Sequence, residues 1–352
     1  MEPRLAYARS ADDVAIAYTD VGAGPPLVML PNLPFSNCLA QWRVPFLRDA
    51  YERLAAHHRL IEYDGRGTGR SERDIEVLSL ETMLLDLDAV LDHASIGVGA
   101  LYAPYISCAT AIAYAARHPE RVTRIILFGG SARGRDAIGA PETDALLSLI
   151  ERDWDVFVTS ALQAWLGWSA GESGRIETEV ARTATTPRVA RAVISMAAEL
   201  DVSPELAAVT APVLVFHRRG VRQISLEVSE AIVAAVPFGQ LHTLEGSSAA
   251  LFFEDADEVV RVMLDFLADR PTARGSEHAD PAGERRQGSH GLTAREIDVL
   301  ALLARGETNA EIAHRLGLSV NTVERHVTNL YRKIDARGRA DATAFAVRRG
   351  IV

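Results

Sequence analysis

The chain has 352 residues, 48% of them hydrophobic, and a net charge of −10, enough length and apolar content for two buried cores. Its two cysteines, Cys38 and Cys108, suggest neither a disulfide framework nor a zinc cluster, so no metal or cofactor site is expected. The charge is uneven: residues 291–352 hold ten Arg or Lys against seven Asp or Glu, a net +3, which leaves −13 on residues 1–290 and confines any nucleic-acid binding to the C-terminal end.

The opening MEPRLAYARS lacks the apolar core of a signal peptide, which predicts a cytoplasmic protein. Strands are expected at 14–18 and 27–30, parted by the turn GAGPP, then a helix near 47–56 and a strand at 59–64. That strand runs into GRGTGRS, residues 65–71, whose alternate glycines let the chain turn sharply. A helix at 80–93, a strand at 100–102, a helix at 109–117 and a strand at 122–128 follow. Strands alternating with helices predict an α/β domain with a mostly parallel sheet. The uncharged run 94–116 is long enough to span a membrane, but Gly97, Gly99 and Pro104 interrupt it, and it reads as a buried strand, a tight turn and a buried helix. No membrane contact is expected.

Residues 268–290 are rich in Gly, Pro, Ser and charge and read as a linker, spanning roughly 25–30 Å if flexible. This sets the domain boundaries at 1–267 and 291–352. In the second segment two capping boxes, Thr293-Ala-Arg-Glu296 and Thr308-Asn-Ala-Glu311, open helices that carry Ile297, Leu300, Leu303 and then Ile312, Ala313, Leu316 on one face. Gly306 and Gly317 close them. Ser319 then caps a third helix three residues after the second ends, the spacing of a helix-turn-helix. There Val323, Val327, Leu330 and Ile334 form a packing face, and Asn321, Thr322, Arg325, Thr328, Asn329 and Arg332 an outward face able to read base edges and phosphates.

YDGRGTGRS, AIAYAARHPERVTRIILFGG, APVLVFHR and LEG…FFED stand in the order and spacing of the α/β-hydrolase superfamily, and residues 1–267 resemble it. The resemblance implies a helical cap near 132–207 and a nucleophile elbow between a strand and a helix. Aligned on AIAYAARHPERV, the elbow is Ala103-Pro-Tyr-Ile-Ser107, with Tyr105 where the nucleophile stands. Val221 falls at the acid position and Ala249 at the position of the general-base histidine, while Pro31-Asn32 replaces the oxyanion-loop HG. With all three triad members absent, no catalytic residue is assigned and the domain is not expected to be an enzyme. The fold implies a pocket beneath the cap, with Tyr105 offering its hydroxyl to a ligand. Leu33, Tyr102, Ile106 and the cap tryptophans Trp154, Trp165 and Trp168 are the other candidates, although helix packing explains the tryptophans equally well.

LTAREIDVLALLARGETNAEIAHRLGLSVNTVERHVTNLYRKI resembles the LuxR-type (NarL-type) helix-turn-helix family. By position, the resemblance implies DNA contacts from Thr322, Val323, Arg325, His326 and Lys333, joined by Asn321 and Asn329 from the outward face, and a dimerisation helix around 342–347. Glu324 departs from the lysine that the family often carries.

Together these readings predict a homodimeric regulator that binds double-stranded DNA and whose degenerate hydrolase-like domain senses a small, largely apolar molecule. Two alternatives stay open: a ligand-free dimerisation scaffold, and a hydrolase with residual activity.

Overall fold

The structure is a computed structural model that describes residues 2–137, 147–150, 152–166, 171–221, 223–268, 294–316, 323, 327, 330–331, 336 and 338–348. It divides into two compact units, residues 1–273 and 274–352.

The larger unit is built on an eight-stranded sheet in the order β1-β2-β4-β3-β5-β6-β7-β8. The strands are β1 (Arg4–Arg9), β2 (Ala15–Val21), β3 (Pro26–Met29), β4 (Arg59–Tyr63), β5 (Gly99–Pro104), β6 (Val122–Phe128), β7 (Val213–Arg218) and β8 (Gly239–Leu244). The β1–β2 hairpin and the β2–β4 pair are antiparallel, and every later pairing is parallel.

Side chains alternate across this sheet with the period of two that a pleated strand imposes. Val28, Ile61, Leu101, Ile125 and Val213 pack with Leu87 of helix Leu80–His93 and Ile112 of helix Ser107–Arg117. Their neighbours Leu27, Leu60, Tyr102, Ile126 and Leu214 face the other way, onto Leu54 of helix Pro45–Ala55 and Met263 of helix Ala256–Ala268. All six residues of β5 are buried, as a central parallel strand with both faces covered requires. The run 94–116 is thus a strand, a turn and a helix, and among the described residues no helix is long and apolar enough to cross a membrane.

The expected strand at 14–18 begins and ends later, and two strands were not expected. β1, RLAYAR, pairs only with β2, and β8, GQLHTL, only with β7, so each is an edge strand with polar residues at positions that an inner strand would fill with apolar ones.

The GRGTGRS turn is structural. Buried Asp64 accepts the backbone N–H groups of Cys38 at 2.6 Å and Arg70 at 2.7 Å. Gly69 has φ +50° and sits so close that an added Cβ would lie 2.1 Å from the Asp64 carboxylate. Arg66, 2% exposed, is held between Asp86 at 2.7 Å and Asp12 at 2.6 Å.

Across the ends of the parallel strands lie the cap helices Trp154–Leu166, Gly171–Ala184 and Pro187–Glu199, within the span expected for the cap.

The smaller unit has helices Ala294–Ala304, Asn309–Leu316 and Arg339–Arg348. The second capping box is present: Thr308 N–H donates to Glu311 at 2.7 Å and Glu311 N–H to Thr308 Oγ1 at 3.3 Å. Gly306, at φ +94°, ends the preceding helix. Thr293, Gly317 and Ser319 lie outside the described residues. Val299, Leu300, Leu303, Ile312 and Ala313 form the core with Val327 and Leu330. Ala342 and Ala346 of the last helix are buried in that same core, so this face of the expected dimerisation helix is used within the module.

Candidate functional site

β5 ends at Pro104, and the helix Ser107–Arg117 begins three residues later. Tyr105 makes the turn between them at φ +46°, a left-handed conformation that a bulky residue adopts only under constraint. The constraints are visible: Tyr105 N–H donates to Phe128 O at 2.8 Å, and Cys108 N–H to Tyr105 O at 3.0 Å. Gly129 makes room for the phenol, since a Cβ there would lie 2.6 Å from Tyr105 Cε1, and the ring meets Phe128 edge-on at 5.6 Å.

The Tyr105 hydroxyl donates to the carbonyl oxygen of Ala249, and burial pushes the phenol well above its ordinary pKa. Sequence reasoning gave this hydroxyl to a ligand; the structure gives its proton to the backbone. Ala249 N–H in turn donates to Trp165 O, at the end of a cap helix. The loop that carries Ala249 therefore ties the turn after β5 to the cap.

Arg218, the last residue of β7 and fully buried, holds this loop in place. Its guanidinium donates to five backbone carbonyls: Glu245 at 3.1 Å, Ser248 and Ala250 at 2.9 Å, Leu251 at 3.1 Å and Glu254 at 2.9 Å. The Glu254 carboxylate accepts Ser247 N–H at 3.0 Å and Ser248 N–H at 3.1 Å, and stands 3.6 Å from the guanidinium. The sequence singles out this region only for Val221 at the acid position. No periodicity marks a buried arginine, and Arg218 was missed.

Val221, at the expected acid position, is buried, 7% exposed. Ser107, Cys108 and His217 are engaged in other contacts. Ser107 Oγ donates to Pro31 O at 2.6 Å, and burial raises the Cys108 thiol to about 12. His217 Nδ1 lies 3.0 Å from Ser229 Oγ, but neither residue borders the cavity described next.

A cavity of about 190 Å³ opens beside Tyr105 under the cap. Its apolar wall includes Leu33, Ile106, Phe157, Leu162, Trp165 and Ile194, and its polar lining is Asn32, Ser131, Glu177 and Gln223 with Tyr105. A second cavity of about 70 Å³ lies on the other side of Tyr105, bordered by Glu62, Tyr51 and Tyr102. Of the expected ligand residues, Tyr105, Leu33, Ile106 and Trp165 line the main cavity. Tyr102 does not; its side chain belongs to the sheet face that packs on Phe252, and it borders the smaller cavity. Trp154 is packing: it stacks on Phe157 at 5.6 Å and its indole N–H donates to Arg182 O at 3.2 Å. Trp168 lies outside the described residues. A larger groove of about 790 Å³ between cap helices is bordered by Arg43, Arg175, Glu179 and Arg182, a charged lining suited to water.

Glu177 is the polar residue that sequence reasoning missed. On helix Gly171–Ala184 it shares a face with buried Val180, Ala181 and Ala184, at spacings of three, four and seven, and that spacing was the available signal. Its Oε2 is buried and has no hydrogen-bond partner among the described residues, and burial raises the carboxyl to about 7. Glu62 is raised further, to about 8, by burial, against the opposing pull of the Trp42 indole N–H at 2.6 Å. Among the described residues no group of three or more His, Cys, Asp or Glu is placed to hold a metal.

In the smaller unit, Asn321, Thr322, Arg325, His326, Asn329 and Lys333 lie outside the described residues. Val323 corrects the expectation of a DNA contact: it is 0% exposed in the module core with Val327 and Leu330, because it sits on the packing face of its helix.

Residues 290–346 match the luxR family of bacterial regulatory proteins (GerE). The transcriptional regulatory protein LiaR of Bacillus subtilis is 38% identical over 71 residues, 20% of this chain and 34% of LiaR, so the chain spans about a third of that relative. A 2-hydroxy-6-oxononadienedioate/2-hydroxy-6-oxononatrienedioate hydrolase of Cupriavidus pinatubonensis is 25% identical over 269 residues, 71% of this chain and 89% of the hydrolase. Among solved structures, an esterase from Exiguobacterium antarcticum superposes with a TM-score of 0.67 at 19% identity, covering 76% of this chain and 99% of the esterase. The chain therefore joins an α/β-hydrolase-fold domain to a C-terminal helix-turn-helix domain of the luxR family of bacterial regulatory proteins.

Proposed function

We propose that this chain is a ligand-responsive transcriptional regulator: its C-terminal module binds double-stranded DNA as a homodimer, and its hydrolase-fold domain holds a small, largely apolar molecule without turning it over. Tyr105 carries the second half of this reading. It occupies the strand-to-helix turn where the related fold displays a nucleophile, its proton is engaged by Ala249 O, and burial drives the phenol further from ionisation. Ala249 offers no imidazole to activate it and Val221 no carboxylate to orient a base, so the cooperation that acyl transfer needs is lacking.

The open cavity beside Tyr105 favours a ligand sensor over a ligand-free scaffold, in which packed apolar side chains would surround the phenol. A ligand can shift the protein between two states only through different affinity for them, and the Tyr105–Ala249–Trp165 connection gives a bound molecule access to both the turn and the cap. Incubation with a fluorophosphonate, followed by intact-mass measurement, tests the non-catalytic assignment. No adduct is expected, and a stoichiometric one would return the domain to the hydrolases.

A further inference from the structure

The polar groups around Tyr105 are matched to one kind of partner. The Tyr105 hydroxyl has given its hydrogen to Ala249 O, so toward the cavity its oxygen can only accept. Glu177 borders both the main cavity and the smaller one, is the one charged side chain among the described residues that line the main cavity, and has an Oε2 with no hydrogen-bond partner among the described residues. Among the described residues that line the two cavities there is no Arg, Lys or His. Asn32 and Gln223 are amides, able to serve a donor or an acceptor equally.

A carboxylate covered by a ligand that brings neither a donor nor an opposite charge is costly to hold, and a purely hydrocarbon ligand would leave Glu177 so. A carboxylate or phosphate ligand would stand beside Glu177 in a largely apolar chamber with no basic side chain among its described lining residues to compensate. A ligand with a protonated nitrogen would bring donors and the opposite charge to this carboxylate. We propose that the cavity selects a small apolar molecule bearing a basic amine, and that Glu177 is the residue that holds its ammonium group. This rests on the reading that the domain binds a small molecule, and it names the chemical class.

Titration calorimetry on the full chain at about pH 8, where an alkylamine is charged, tests it with hexylamine, hexanol and hexanoate. Hexylamine is expected to bind about tenfold more tightly than hexanol, with hexanoate weakest. In the near-isosteric variant Glu177→Gln the gap between amine and alcohol should shrink to about twofold or less. Hexanoate binding as tightly as hexylamine, or an amine preference that survives in Glu177→Gln, overturns the proposal. Hexanol binding with no preference for the amine overturns the proposal and leaves the ligand-binding reading intact. Absence of binding by all three removes both.

Discussion

Tyr105 and Trp165, one on the sheet and the other on the cap, are joined through a single residue: Ala249 accepts the Tyr105 hydroxyl with its carbonyl and donates its N–H to Trp165 O. These two bonds tie the turn after β5 to the cap. Tyr105→Phe keeps the ring against Phe128 and Gly129 but leaves the Ala249 carbonyl unsatisfied, and should lower stability by about 1–2 kcal/mol in a urea melt.

Tyr105→Ser puts a smaller hydroxyl at the turn, with no imidazole among the described residues that line either cavity. Turnover of p-nitrophenyl acetate should stay at the background rate. Measurable, saturable esterase activity would show that other groups in the cavity can replace the missing base.

Arg218 satisfies five carbonyls of the loop 245–254 from a fully buried position. Arg218→Met leaves those acceptors without donors and Glu254 without its counter-charge. The expected loss is about 3–5 kcal/mol, seen as a lower denaturation midpoint, with greater proteolytic sensitivity confined to this loop.

Glu62 links stability to pH. Burial raises its carboxyl from 4.5 to about 8, so the folded chain holds this proton more tightly than the unfolded chain. The stability that it contributes is whole below the unfolded value of 4.5 and is lost as pH rises through about 8. Glu62→Gln keeps an acceptor for the Trp42 indole and cannot ionise. The variant should lose less stability than the parent between pH 5 and 8 in parallel melts, and an unchanged pH slope would mean that Glu62 does not titrate in this range.

The DNA-reading assignment turns on Arg325. Arg325→Ala should weaken binding to a specific operator by about 1–3 kcal/mol while changing affinity for random DNA much less. Equal losses on both would make it a phosphate contact.

Most of the architecture was legible because it follows from periodicity. The buried strands Gly99–Pro104 and Val122–Phe128 announce themselves by apolar continuity, and the Thr308–Glu311 box by reciprocal capping chemistry. The edge strands Arg4–Arg9 and Gly239–Leu244 escaped notice because an exposed face relaxes that pattern. The position of the turn at Tyr105 was legible; the use of its hydroxyl was not, because its partner is a backbone carbonyl 144 residues away. Arg218 was hidden for the same reason. Val323 carried two readings, packing residue and DNA contact, and burial selects the first.

The central claim is that the cavity beside Tyr105 holds a molecule reversibly. Native mass spectrometry on protein purified gently from its own host, repeated on the same sample after denaturation, tests this most directly. A small added mass is expected under native conditions and should disappear on denaturation. An added mass that survives denaturation would contradict the claim, because it would show that the domain forms a covalent bond with its ligand.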